Sequence, residues 1–202
     1  MQSVDVLIIG GGVGGLSCGM TLASAHPKRW FGDRTVLIVD DGRSDLEKAV
    51  LRNAPGIEPG TTGAAVLQRM RSQVDQYGSA ALIEDEVISV ERSGEQWLAR
   101  SRTGRCWQSQ VLVLATGFKR WEIDRLPCIP QSHPRGGKPD RIMLEHDGAY
   151  RIDDTLYVAG LLGGGSSQFA IAAGIGAQVA VEILSGWAGK RTHVHDVPET
   201  AR

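Results

Sequence analysis

The 202-residue chain has only three cysteines, Cys18, Cys106 and Cys128, and no pair of them has motif spacing. Such sparse use excludes a disulfide-stapled scaffold and points to a reducing compartment. An excess of one charge is missing too: 22 basic residues stand against 23 acidic ones, for a net charge of −1. Without a basic footprint, neither nucleic acid nor an anionic membrane surface is expected as a main partner. The opening residues MQSVDVLIIGGG carry no positive segment ahead of the apolar run. That run is also too short for a signal peptide or a membrane span. A cytoplasmic location is the simplest expectation, and the length suits one domain with a substantial core.

What the sequence does have is glycine in particular places. Val6, Leu7, Ile8 and Ile9 run directly into Gly10-Gly11-Gly12-Val13-Gly14-Gly15, and a helical pattern begins at Leu16. In this strand, turn and helix, Gly10 permits the tight turn, Gly12 lets backbone approach a pyrophosphate, and Gly15 lets helix and strand pack closely. The N–H groups opening the helix then face an anion. A lone glycine fingerprint is weak, but this one has the required strand-to-helix context, so the turn, Gly14 included, is read as a dinucleotide cradle. Next, Thr35–Val39 is a β-branched run ending in Asp40-Asp41-Gly42. An acid at the end of this second strand is placed for ribose hydroxyls, and Asp40, with Asp41 beside it, is the candidate. The loop PKRWFGDR lengthens the spacing beyond the usual ~20 residues.

Further along, Thr61-Thr62 can cap an amphipathic helix with Val66, Leu67, Met70, Val74 and Tyr77 on one side, ended by Gly78. Ala80–Glu84 reads as a short strand entering Val87–Val90. Trp97–Arg102 and Arg105–Gln108 read as an antiparallel pair about Thr103-Gly104. Val111–Leu114 is apolar without alternation, the pattern of a strand covered on both faces, and ends in Ala115-Thr116-Gly117. Residues 118–154 hold Pro127, Pro130, Pro134 and Pro139 and no sustained period, which marks a long irregular stretch of functional or mobile character. Thr155–Ala159 is a strand, Gly160–Ser167 a glycine-rich turn, and Gln168–Leu184 a helix with a small face of Ala172, Gly176 and Ala180. The chain thus closes on a second strand, glycine turn and helix.

Taken together, VDVLIIGGGVGGLS, VLIVDDG, NAPGIEPGTTGAAVLQRMRSQVDQYG, VLVLATG, LYVAG and SSQFAIAAGIGAQVA resemble the FAD-binding domain of the low-molecular-weight thioredoxin reductase family. The resemblance implies an α/β, three-layer FAD/NAD(P)-binding fold: a central parallel sheet, helices on one face and a small antiparallel element on the other. It implies one noncovalently bound FAD and a single FAD-binding domain over residues 1–186, with 187–202 as a tail. In the family, residues matching Gly10, Gly12, Gly15 and Asp40 hold the ADP half. Those matching Asn53, Thr116, Gly117, Gly160, Gln168 and Phe169 lie along the ribityl chain and isoalloxazine, and backbone near Val87 faces the adenine.

There are two departures. Residues 118–154 stand where the family inserts an NADPH-binding domain, with neither a second glycine fingerprint nor a C-x-x-C. Leu161 stands where the family has an aspartate bonded to the ribityl chain. The expected function is an FAD-dependent oxidoreductase exchanging electrons between bound flavin and a separate donor protein or a small substrate. A non-catalytic electron-relay or redox-sensor module is the alternative, and a plain NAD-binding domain a third reading. Surface left bare by the missing domain predicts a homodimer.

The catalytic candidate is Cys128, set between Pro127 and Pro130, since a loop thiol near flavin can form an adduct; an unpaired loop cysteine is otherwise incidental. Cys18 and Cys106 read as packed fillers. His133 and His146 are candidate proton donors. His193, His195 and Asp196 have ligand chemistry, but a frayed terminus is the preferred reading and no metal site is assigned.

Overall fold

The computed structural model describes residues 1–119 and 121–195. The elements are β1 (Gln2–Ile9), α1 (Val13–Ala23), β2 (Val36–Asp40), β3 (Val50–Leu51), β4 (Thr61–Thr62), α2 (Gly63–Val74), β5 (Ala80–Glu84), β6 (Val87–Ser93) and β7 (Gln96–Ser101). They continue with β8 (Cys106–Leu114), β9 (Gln131–Ser132), β10 (Ile142–Met143), β11 (Arg151–Asp153), β12 (Leu156–Val158) and α3 (Phe169–Ala188). Short 3₁₀ turns cover Asp45–Lys48 and Gly160–Gly163.

The sheet runs β11-β12-β8-β1-β2-β5. From β12 to β5 all neighbours are parallel, with β1 at the centre, Ile9 opposite Val39 on one side and Leu114 on the other. Side chains alternate along each strand, so the unbroken apolar runs of β1, β2 and β8 feed two cores. Val6, Ile8, Val36, Ile38 and Val113 face α1, α2 and α3, where Leu16, Leu67 and Val179 cover them. Leu7, Ile9, Leu37, Val39, Leu112 and Leu114 face the opposite way and are covered by Val90 and Trp97 of β6 and β7, with Ile123 and Leu144. The molecule is therefore the three-layer α/β arrangement expected.

Four details differ from the sequence pattern. Arg105–Gln108 and Val111–Leu114, read as separate strands, form the single strand β8, whose first half pairs antiparallel with β7 while its full length runs beside β1. Ser109 and Gln110 break the apolar pattern but not the backbone ladder. The α2 helix stops at Val74, capped at its start by Thr62 accepting from the Ala65 N–H, so Tyr77 falls beyond it. Within residues 118–154 the chain forms the β9–β10 pair and the edge strand β11, antiparallel to β12. The PKRWFGDR loop, read only as added spacing, also packs: Phe31 is fully buried edge-on to Trp187, and Arg34 stacks over the same ring. That contact ties the end of α3 to the loop between α1 and β2.

By length and composition α3 is apolar enough to cross a membrane. In the fold, however, it buries Ala172, Ile175, Gly176, Val179, Ala180, Ile183 and Leu184 in the core beside α1. The seam is close because Gly176 faces the Gly14 carbonyl, where a Cβ would lie 2.1 Å from that oxygen.

Candidate functional site

At the carboxyl ends of β1, β2 and β8 lies a cavity of about 700 Å³, within the roughly 300–1,000 Å³ range of cofactor sites. It is built where the first strand turns into the first helix. Gly10 has φ +106°, and a Cβ there would sit 2.4 Å from the Ala115 carbonyl. Gly15, below the turn, leaves no room either, since a Cβ would meet the Gly10 carbonyl at 1.9 Å. Gly12 is different: its nearest neighbour would be Ser44 Oγ at 3.5 Å, so the protein itself does not require glycine there. The space beside Gly12 opens into the cavity, as a group approaching the backbone needs.

Gly12 is also the N-cap of α1 and Gln168 that of α3, and neither helix start is satisfied by a capping side chain. Both residues line the cavity. Two sets of orphan N–H groups, each at the positive end of a helix dipole, thus open on one space. On the floor, Thr116 Oγ1 is buried with no hydrogen-bond partner, an unusual cost unless a ligand atom satisfies it.

The expected acids lie at the end of β2. Asp40 is buried; its Oδ1 accepts from the Gly11 N–H at 2.9 Å and its Oδ2 from Arg71 Nη2 at 3.0 Å. Each oxygen keeps a lone pair for a further donor. Asp41 lines the same wall but folds back on Arg43, with Oδ2 2.9 Å from Nε. Arg43 also reaches Glu86 Oε2 at 2.8 Å, and Glu86 receives a two-pronged contact from Arg102 at 2.6 and 3.0 Å. The Arg102 contact, aided by Arg43 and opposed by burial, holds the Glu86 carboxyl down at about 2. For Asp85 burial pushes the carboxyl up, but bonds from Thr103, Ser101 and the Glu86 N–H, with Arg105, more than offset it and leave it below the ordinary range.

The structure brings Gly10, Gly12, Gly14, Asp40, Asp41, Val87, Asn53, Thr116, Gly117, Gly160, Gln168 and Phe169 together in one cavity wall, with Gly14 packed directly against Gly160 and Gly10 against Ala115 and Thr116. Asn53 Nδ2 donates to Gln168 Oε1 at 2.9 Å, joining segments far apart in sequence. Gly15 supports the turn from beneath, and Leu161 presents an apolar lining.

Cys128 does not line the cavity. It packs against the core on the β6–β7 side, where burial, with Asp153 nearby, pushes its thiol up to about 11. Burial likewise raises the Cys18 thiol. His133 and His146 are also outside the wall, but they fix it. Each accepts a backbone N–H at Nδ1, from Arg135 and Gly148, and each donates from Nε2 to the Gly160–Gly163 turn, at Leu161 O and Gly163 O. His193 and His195 face each other with ring centroids 6.4 Å apart, and Asp196 lies outside the described residues. Among the described residues no group of three metal-ligating side chains occurs.

Sequence reasoning missed Arg71, the partner of Asp40. It sits on the polar face of α2, and nothing in that pattern separates a solvated arginine from one reaching back to the end of β2. It also missed the histidine pins, which depend on a tertiary contact between two irregular segments.

A family model described as pyridine nucleotide-disulphide oxidoreductase matches residues 4–185. A thioredoxin reductase of Streptomyces coelicolor is 25% identical over 156 residues, covering 77% of this chain and 46% of that protein. The chain spans about half the length of the curated relatives it matches. Among solved structures, a thioredoxin reductase from Gloeobacter violaceus superposes with TM-score 0.77 at 14% identity, over 98% of this chain and 100% of that one, a likeness of fold. HlmI is 32% identical at TM-score 0.51, over 66% of this chain and 39% of its own. Since the family model covers the glycine turn, the sheet and the closing helix alike, the chain belongs to the pyridine nucleotide-disulphide oxidoreductase family.

Proposed function

We propose that the protein binds FAD and acts as an oxidoreductase of the thioredoxin reductase type, exchanging electrons between the flavin and a separate donor or small substrate. The observation that carries this reading is the convergence of two uncapped helix starts and the partnerless Thr116 hydroxyl on one cavity. In this reading the backbone at Gly10, Gly12 and Gly14 holds the pyrophosphate, Asp40 with Asp41 the ribose, and backbone at Val87 the adenine. Asn53, Thr116, Gly117, Gly160, Gln168 and Phe169 hold the ribityl chain and ring. The flavin supplies the redox chemistry, and the protein supplies position, shelter from water and electrostatics. Leu161 leaves the ribityl chain without a carboxylate partner, so Thr116 and the two helix starts carry more of the polar contact. A homodimer and a cytoplasmic location belong to the same proposal.

The relay or sensor reading is favoured by one feature: Cys128 stands away from the cavity with its thiol raised rather than activated. Rapid mixing with NADH, NADPH and reduced ferredoxin separates the two. Reduction by one donor at a catalytic rate supports the oxidoreductase, whereas slow photoreduction with no response to any donor supports the relay or sensor.

A further inference from the structure

We propose that a second cleft, opening off the flavin cavity, binds the phosphate or carboxylate groups of a small anionic substrate; this rests on the flavin reading above. The cleft, about 550 Å³, is walled by Lys48, Lys119, Lys138 and Arg141 against a single carboxylate, Asp45. It shares Asp45, Lys48, Phe118, Lys119 and Ser167 with the main cavity, so the two spaces adjoin along that edge. Apart from the shared Asp45, Lys48 and Lys119, the main cavity has the opposite balance, with six carboxylates, Asp40, Asp41, Glu47, Asp85, Glu86 and Glu122, against Arg43, while the cleft adds only the cations Lys138 and Arg141. Charge is therefore sorted between the two adjoining spaces.

The cationic wall is constructed rather than incidental. Arg141 is buried, its guanidinium lies over the Phe118 ring at 5.1 Å, and its Nη1 donates to Asp140. Gly136 makes room for it, because a Cβ there would sit 2.4 Å from Arg141 Cβ, and Gly137 turns the chain at φ +67°. Lys119 is paired with Asp45, whereas Lys48 and Lys138 have no ion-pair partner among the described residues. Two unpaired ammonium groups, beside a guanidinium that Asp140 engages at Nη1 alone, match an oxyanion by charge-assisted hydrogen bonds, and the local field concentrates anions there.

The test is calorimetric titration of the protein, saturated with FAD so that the glycine cradle is filled, using inorganic pyrophosphate in one arm and succinate in the other. Binding of either is expected, weaker at higher salt; preference for pyrophosphate assigns a phosphorylated substrate and preference for succinate a carboxylated one. Lys138→Glu should weaken the bound anion roughly tenfold, while Lys138→Arg keeps it. The flavin spectrum of both variants should be unchanged, because Lys138 lies outside the nucleotide cavity. No binding of either anion, or equal binding to Lys138→Glu, overturns the proposal. Protein that takes up no FAD overturns the flavin reading instead, and the Lys138 dependence of pyrophosphate binding still judges the cleft.

Discussion

At the scale of single residues, the glycine turn separates two demands that look alike in sequence. Gly15 is required by the protein, whereas the protein leaves room for a side chain at Gly12, and the flavin proposal assigns that room to the bound phosphates. Gly12→Val should therefore leave a folded sheet, shifting stability by about 1 kcal/mol through the lost N-cap preference, yet abolish flavin retention. Gly15→Ala should cost about 1–3 kcal/mol or more by forcing the turn off the helix. Thermal unfolding of the flavin-free proteins, with flavin content measured alongside, checks both; a fully yellow Gly12→Val overturns the phosphate role. Asp40→Ala removes the partner of the Gly11 N–H and of Arg71, whose Nε is already buried without a bond. Because the Arg71 side chain is 32% exposed, the loss should be about 1–3 kcal/mol, less than the roughly 3–5 kcal/mol of breaking a fully buried pair. Urea denaturation reads it, and an unchanged midpoint would show the contact to be idle.

At the scale of elements, the α1–α3 seam sets the distance between the two helix starts. Gly176→Ala places a methyl against the Gly14 carbonyl. It should destabilise the fold by about 1–3 kcal/mol and weaken flavin binding, since both helix starts must move. Gly174→Ala on the same helix meets nothing within 4 Å, and should instead stabilise by about 1 kcal/mol through helix propensity. The pair of variants, compared by unfolding and flavin titration, separates seam from propensity.

The β6–β7 element is fastened to the end of β2 by Glu86 between Arg102 and Arg43. Its carboxyl ordinarily titrates near 4.5 and is held to about 2 in the fold. A depressed value means the stabilisation is complete above about pH 4.5 and disappears as pH falls towards 2. Unfolding midpoints at pH 7 and pH 3 should therefore differ less in Glu86→Gln than in the parent protein; an equal difference would place the acid sensitivity elsewhere.

These elements also show what was legible in the chain. The parallel strands were readable because a strand covered on both faces needs an unbroken apolar run, and the glycine turn because only glycine fits φ +106° against Ala115. The continuity of β8 was not, since Ser109 and Gln110 look like a break and the ladder to β1 is long-range. Nor was the partner of Asp40, because α2's amphipathic pattern fixes which face is wet and not where a long arginine reaches. Residues 118–154 lacked any period because their order comes from His133, His146 and Arg135 binding the Gly160–Gly164 turn.

At the scale of the whole molecule, a glycine-walled cavity adjoins a cationic cleft, and segments remote in sequence line both. The first strand-turn-helix alone would suit many nucleotides; the closing one, with Thr116 between them, gives the space a second uncapped helix start and an unmet hydroxyl. The central claim is that this space is a flavin site. The most direct measurement is the visible absorption spectrum of the protein after incubation with FAD and removal of free nucleotide. The account predicts a yellow protein with flavin bands and about one FAD per chain, lost on Gly12→Val. A colourless protein that retains NAD, or nothing, would contradict it.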